Sequence, residues 1–365
     1  MFLVVTRNFP PDIGGIQILM GGLSESLLNH GPVKVFANEF TNSNSYDSKS
    51  SLNIERVKGI KLFRKYRKAN IVNNFISDKS NIRAIITDHW KSLELLKQEY
   101  LNKTKTFCLI HSKEINHSIG SSLNKRMIKS INKANFIIAN SNYTKNLAIK
   151  VGIDSSKIKI IFPGINKPKN INEKYKKEAD NVFNNSFPKI ITVARLDKRK
   201  GHDKILMLIK NLKNKFPKIK YVSIGFGEEE KNLKKLVKEL KIENEVVFIN
   251  HHDENMKIAL IEKSNLFLMP SRIEKKSVEG FGISFIEAAS YGVGSIGGKD
   301  GGASDAIAHN KTGLICDGND LNSIYESVLN FFKNDNFIEF GKSSSELSKN
   351  FYWDKIVKDY LKLIN

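Results

Sequence analysis

The chain has 365 residues, 40% hydrophobic and 27% charged, with a net charge of +21 and a sequence pI near 9.6. The length suits two domains, and the composition suits a folded globular chain and excludes a disordered polymer. No apolar run reaches the ~18 residues of a bilayer span, and the opening Met-Phe-Leu-Val-Val-Thr-Arg reads as a strand with no basic leader, so a cytoplasmic protein is expected.

The positive charge invites an anionic partner: nucleic acid, an acidic membrane surface or a phosphorylated ligand. Only nine of the 59 basic residues are Arg, and the chain is rich in Asn and Ile, so a compositional origin for part of the charge stays open. Cys108 and Cys316 are far apart in apolar runs and read as two buried thiols, not a disulfide or a metal site.

In chain order, residues 2–6 predict a buried strand, stopped by Pro10-Pro11. Gly14-Gly15 open a loop before a helical pattern from Ile16 to Leu28. Strand, glycine loop, helix is the phosphate-cradling order of dinucleotide-type folds, and equally that of an ordinary tight turn. Val33–Ala37 is the next strand, and 38–53 reads as a polar loop. Residues 57–72 mix Lys58, Lys61, Arg64, Lys65, Arg67 and Lys68 with Leu62, Phe63 and Tyr66. Such a stretch can lie on an anionic membrane, bind nucleic acid, or cover its own domain's core.

Strands follow at 82–87 and 106–110, the second ending in His111. Ligands of open parallel sheets sit at such carboxyl ends, which makes His111 a candidate and His89 a weaker one. Helix 121–134, strand 136–139, a helix from Ser141 and strand 158–162 complete an alternating α/β unit. Polar residues 167–188 read as an interdomain linker with room for a short helix. The alternation restarts with strands at 190–194, 221–224, 246–249, 266–269, 295–297 and 313–316, and closes with helices 321–332 and 353–363. The expected domains are 1–167, with 350–365 packing back on it, and 168–349.

The stretch from Ser277 to Tyr291 carries two glutamates, Glu279 and Glu287, around Gly280, Phe281, Gly282 and an apolar period beginning at Ile283. A helix starting near Gly282 would offer free N–H groups to an anion. If every step between the glutamates were helical, they would stand roughly 12 Å apart. That suits two ends of one elongated ligand better than one bond, and it equally suits a buried helix with solvated glutamates.

These motifs together resemble glycosyltransferase family 4, and among its members most the bacterial phosphatidylinositol mannosyltransferases. Arg195 with Lys200-Gly201 resembles the family's diphosphate-binding pair, Gly225-Phe226-Gly227 its G-x-G turn and Pro270-Ser271 its P-S. Glu279 and Glu287 resemble its paired glutamates, Gly301-Gly302 its second glycine pair, and Gly14-Gly15 its first-domain loop. His111 falls where the family carries an active-site histidine. Ala194, Asn166, Gly294-Ser295 and Asp305 depart from the common pattern.

The resemblance implies the GT-B architecture, two Rossmann-like α/β domains facing across a cleft. It implies retaining hexose transfer, with mannose from GDP-mannose the first choice, from a nucleotide sugar to a lipid-linked or saccharide hydroxyl. A UDP-sugar enzyme making glycolipid or surface polysaccharide is the alternative. The implied donor-binding set is Gly14, Gly15, Arg195, Lys200, Glu279, Gly280, Phe281, Gly282, Ile283 and Glu287. His111, Arg195, Lys200 and Glu279 are the implied catalytic residues. The sequence holds no D-x-D and no His/Cys cluster with ligand spacing, so no metal and no cofactor are expected, and Arg195 and Lys200 would supply the positive charge instead. An anionic membrane surface is an expected partner, on the inner face of the cell membrane. Nucleic acid is not expected, since no recognition module stands beside the charge. A nicotinamide enzyme lacks its G-x-G-x-x-G.

Overall fold

In a computed structural model that describes residues 1–250 and 253–365, the continuous apolar runs become the strands of two parallel sheets. Strands covered by helices on both faces need no polar side, which is why Phe-Leu-Val-Val and Ala-Ile-Ile-Thr are buried at every position. The chain divides into two compact units, Met1–Asn166 with Phe351–Asn365, and Lys167–Asn350.

The first unit runs β1 (Phe2–Val5), α1 (Gly15–Leu28), β2 (Val33–Asn38), α2 (Ser43–Asp47), β3 (Asn53–Val57), α3 (Lys61–Ser77), β4 (Ala84–Thr87), α4 (Trp90–Leu93), α5 (Gln98–Leu101), β5 (Lys105–Ile110), α6 (Ser122–Ile131), β6 (Phe136–Ala139), α7 (Asn142–Lys150) and β7 (Ile158–Ile160). Its strand order is β3-β2-β1-β4-β5-β6-β7. The order reverses between β1 and β4, and the crevice at the carboxyl ends there is where open α/β sheets take ligands. The loop from Thr6 to Gly14, the pair Asp88-His89 and His111 all leave strands at that edge.

The second unit runs α8 (Glu173–Phe183), β8 (Lys189–Val193), α9 (His202–Leu212), β9 (Lys220–Ile224), α10 (Glu230–Leu240), β10 (Val246–Ile249), α11 (Glu254–Glu262), β11 (Leu266–Met269), α12 (Ile283–Ser290), β12 (Ser295–Gly298), α13 (Ala303–Ala306), β13 (Gly313–Cys316), α14 (Leu321–Phe332) and α15 (Asn336–Ser348). Its order β10-β9-β8-β11-β12-β13 reverses between β8 and β11. Arg195 leaves β8 and Pro270-Ser271 leave β11 at that reversal. The last helix, α16 (Trp353–Ile364), belongs to the first unit and packs on α1. The Trp353 indole fills the space where a Cβ on Gly22 or Gly164 would stand, and the Trp353 carbonyl accepts from Ser26 Oγ at 3.2 Å.

Several elements differ from expectation. The polar loop 38–53 contains α2 and leads into β3, an edge strand whose Asn-Ile-Glu-Arg-Val mixes charge with apolar positions. The short helix allowed for in 167–188 is there at eleven residues, α8, capped by the Asn172 side chain. In the basic stretch, Lys68 turns inward and donates to the Thr6 carbonyl at 2.7 Å and to Asn38 Oδ1 at 3.1 Å. Burial pulls its ammonium down to about 8. Lys68 therefore ties β1 to β2 and is unavailable to an outside partner.

Both cysteines are buried free thiols. No helix among the described residues is long and apolar enough to cross a membrane.

Candidate functional site

In the second unit the site is built by two loops and one helix start. The turn Lys198–Lys200 follows β8 and buries both Arg199 and Lys200. Glu279 precedes α12, whose N-cap is Gly282 with φ 90°, a left-handed conformation that glycine adopts without strain. Gly301 seals the other side, because a Cβ there would strike the Glu279 carbonyl.

The Glu279 carboxylate accepts from Arg199 Nη1 at 2.8 Å and from Lys200 Nζ. Burial alone would raise the carboxyl, but Lys200 and Arg199 outweigh it and hold Glu279 down to about 2. Burial keeps Lys200 below its ordinary value despite Glu279 beside it. The Lys200 ammonium also lies 3.6 Å from Met269 Sδ at the end of β11. This is a charged triad packed into the carboxyl edge of the sheet.

Arg195 stands outside the triad. Its side chain is 65% exposed and its guanidinium is 3.7 Å from Asp197, which also faces Arg199 at 3.6 Å. The Arg195 main chain is held instead: its carbonyl accepts from His202 Nε2 at 3.2 Å. The neighbouring Leu196 amide donates to the Phe226 carbonyl at 3.0 Å, inside the glycine turn 225–227. Burial lowers the His202 imidazole to about 4, so it is neutral and donates from Nε2.

Glu287 lies within α12, away from the triad. It faces buried Lys257 at 3.6 Å, and Lys257 also meets Glu254 at 2.9 Å. The two glutamates are not joined by eight helical steps, because Glu279 lies before the helix starts at Ile283. The structure thus joins Lys200 to Glu279, and leaves Arg195 and Glu287 to separate ends. Arg199 is not among the expected site residues, because three consecutive basic residues, Lys198-Arg199-Lys200, do not themselves show which turn inward. The signal was positional, since a short turn between a strand and a helix can bury two consecutive side chains.

In the first unit, Gly14 is the N-cap of α1, and no side chain caps the helix start, so Gly15 and its neighbours present uncapped amides. His111 follows β5. Its amide donates to Glu114 Oε1 at 2.5 Å, and its Nε2 is 3.0 Å from the Asp88 carbonyl. A carbonyl only accepts, so neutral His111 carries its hydrogen on Nε2 and keeps a lone pair on Nδ1. Asp88 is itself fixed. Its carboxylate accepts from the amides of Arg7 at 2.9 Å and Asn8 at 3.3 Å and from Ser92 Oγ at 2.7 Å. One buried acid thus braces both the loop after β1 and the residue that orients His111. Among the described residues no group of three His, Cys, Asp or Glu is placed to hold a metal ion.

Comparison with known proteins gives the family. The family model described as glycosyl transferases group 1 matches residues 173–352, and that of Glycosyltransferase Family 4 matches 13–167. The chain belongs to the family 4 glycosyltransferases of the GT-B fold. It is 22% identical to the GDP-mannose-dependent alpha-(1-6)-phosphatidylinositol monomannoside mannosyltransferase of Mycobacterium tuberculosis, over 97% of this chain and 95% of that one. It is 25% identical to the 2-deoxystreptamine N-acetyl-D-glucosaminyltransferase of Niallia circulans, over 41% of this chain and 37% of that one. Among solved structures, Anabaena HepE in complex with UDP superposes with a TM-score of 0.82 at 15% identity, covering 99% of this chain and 98% of that one. Sucrose-phosphate synthase from Thermosynechococcus elongatus gives 0.80 at 20% identity, covering 99% and 97%.

Proposed function

We propose that the protein transfers a hexose from a nucleoside diphosphate sugar to a hydroxyl of a lipid-linked or saccharide acceptor, with retention and without a metal. The observation that carries this is the Arg199–Lys200–Glu279 triad at the carboxyl edge of the second sheet, with exposed Arg195 beside it. When the bond from C1 to the phosphate oxygen breaks, the electron pair stays on the phosphate, and fixed positive charge there lowers the barrier. Lys200 and Arg195 supply a point charge and a planar fork. Arg199 keeps Glu279 oriented when Lys200 turns to the diphosphate, so that Glu279 accepts from donor sugar hydroxyls. Glu287 accepts from the ribose. The acceptor oxygen bonds to C1 on the face the phosphate leaves, and its proton passes to a phosphate oxygen. The uncapped start of α1 at Gly14-Gly15 adds N–H dipoles, and His111 offers Nδ1 to the acceptor side.

GDP-mannose is the first donor to test, because the mycobacterial relative is a GDP-mannose-dependent mannosyltransferase. A UDP-sugar is the second reading, favoured by the fold's likeness to HepE, solved with UDP-glucose. Consumption of GDP-mannose and UDP-glucose in parallel, with a lipid extract as acceptor, separates them.

The acceptor reading includes a membrane surface. At the start of α3, Ile60, Leu62, Phe63 and Tyr66 are all more than half exposed, with Lys61 between them. Lys65 is 4.0 Å from Glu94, which also pairs with Arg126 of α6, so the two basic helices border one surface. Apolar side chains rimmed by cations fit an anionic bilayer, with insertion adding to charge attraction.

A further inference from the structure

The buried lysine beside Glu287 is a charge that the reaction above leaves unused. Lys257 lies on α11 with its side chain 8% exposed, and its ammonium meets Glu254 Oε1 at 2.9 Å and Glu287 Oε1 at 3.6 Å. Burial would lower that ammonium, but Glu287 and Glu254 outweigh it and hold it above its ordinary value, so it stays charged. The two carboxylates are unlike. Glu254 sits three residues earlier on the same helix and is 60% exposed, so water serves it and the pair adds little. Glu287 comes from α12 and is 22% exposed, and among the described residues no other cation stands within ion-pair distance of it. A buried ion pair stabilises a fold no more, as a rule, than apolar side chains of the same volume. Stability alone therefore does not explain a charge at this position.

We propose that Lys257 is a positioning residue: it fixes the Glu287 carboxylate for the donor's ribose and so makes the site prefer a ribonucleotide to a form without ribose hydroxyls. The ammonium engages Oε1, and Oε2 is left to a ligand. An ionised carboxylate only accepts, and the vicinal diol of a ribose brings two O–H donors. Without Lys257 the same carboxylate swings among rotamers, and ordering it costs affinity when the ribose binds. Lys257 thus acts on the nucleotide through Glu287 and not by touching it. The inference rests on the reading in which Glu287 accepts from the ribose.

The test is calorimetric titration of the full chain with GDP and 2′,3′-dideoxy-GDP, and with UDP and 2′,3′-dideoxy-UDP. The wild type should bind a ribonucleotide at least about tenfold tighter than its dideoxy form, the scale of a charged hydrogen bond. Lys257→Met keeps the length of the stem and removes the charge. It should fold, because Glu254 and Glu287 both still reach solvent. Its ribonucleotide affinity should fall about tenfold while its dideoxy affinity holds, and it should add nothing in a Glu287→Gln background. Glu254→Gln removes the helical partner and leaves Lys257 to Glu287, so its ribose preference should stay, and this variant decides if Lys257→Met fails to fold. Equal loss of both nucleotide forms in Lys257→Met, a ribose preference that Lys257→Met keeps, or one that Glu254→Gln destroys, overturns this inference alone. A wild type that binds both forms alike, or neither, sinks the ribose role of Glu287 and this inference with it.

Discussion

At the residue scale the second unit's site is a set of charges that face one another in a buried place. Lys200→Ala or Arg195→Ala should lower turnover by about 10²–10³-fold, the scale of one lost oxyanion donor. Near-normal turnover in either variant would remove that residue from the reaction, and strong inhibition by a chelator would restore a metal. Glu279→Gln should impair sugar transfer while nucleotide binding stays near normal. It should also cost about 3 kcal/mol of stability, because Arg199 and Lys200 are left as buried cations without their carboxylate. Glu287→Gln should instead weaken nucleotide binding by roughly 1.5–3 kcal/mol, the range of a charged hydrogen bond. Identical behaviour of the two variants would contradict the division between sugar and ribose. His202 gives a pH signature. An unfolded chain protonates it near 6.5, whereas the folded protein holds it at about 4. The stability it supports is full above 6.5 and is lost as pH falls towards 4. Urea midpoints measured from pH 8 to pH 4 should show that loss, and His202→Gln should flatten it. An unchanged slope in the variant would mean the imidazole is not buried neutral.

At the element scale, what could be read from the chain followed from how each element is buried. The strands other than the edge strand β3 were legible because parallel strands covered on both faces become short apolar runs, as Leu266–Met269 does. The start of α12 was legible from Gly282 and the apolar period after it. Helix α8 was legible only as a short helix without bounds, because it buries just Ala179 and Phe183 and shows no apolar period. Helix α11 escaped for the opposite reason: Lys257 to Ile261 is buried at every position, so no amphipathic period marks it. The inward turn of Lys68 could not be read either, since five similar basic residues surround it and only the fold decides which one meets the Thr6 carbonyl. The structure therefore changes the membrane test. Lys58, Lys61, Arg64 and Lys65 should be changed to Gln, and Lys68 left in place. Each engaged cation contributes about 1 kcal/mol at an anionic surface, so the wild type should co-sediment with anionic but not neutral vesicles and the variant should not. Equal sedimentation of both would move the surface to Lys125, Lys129 and Lys133, and binding to RNA abolished by salt would favour nucleic acid.

At the scale of the whole molecule, two sheets that each reverse strand order place the chemistry at two carboxyl edges. The first carries the uncapped α1 start and His111, and the second carries Arg195 and the triad. Everything proposed for the chemistry depends on the second unit binding a nucleotide. That binding is tested most directly by calorimetric titration of GDP, UDP and NAD into wild type and Lys200→Ala. GDP or UDP should bind, NAD should not, and Lys200→Ala should weaken nucleotide binding at least tenfold. Binding of NAD, or nucleotide affinity untouched by Lys200→Ala, would contradict it.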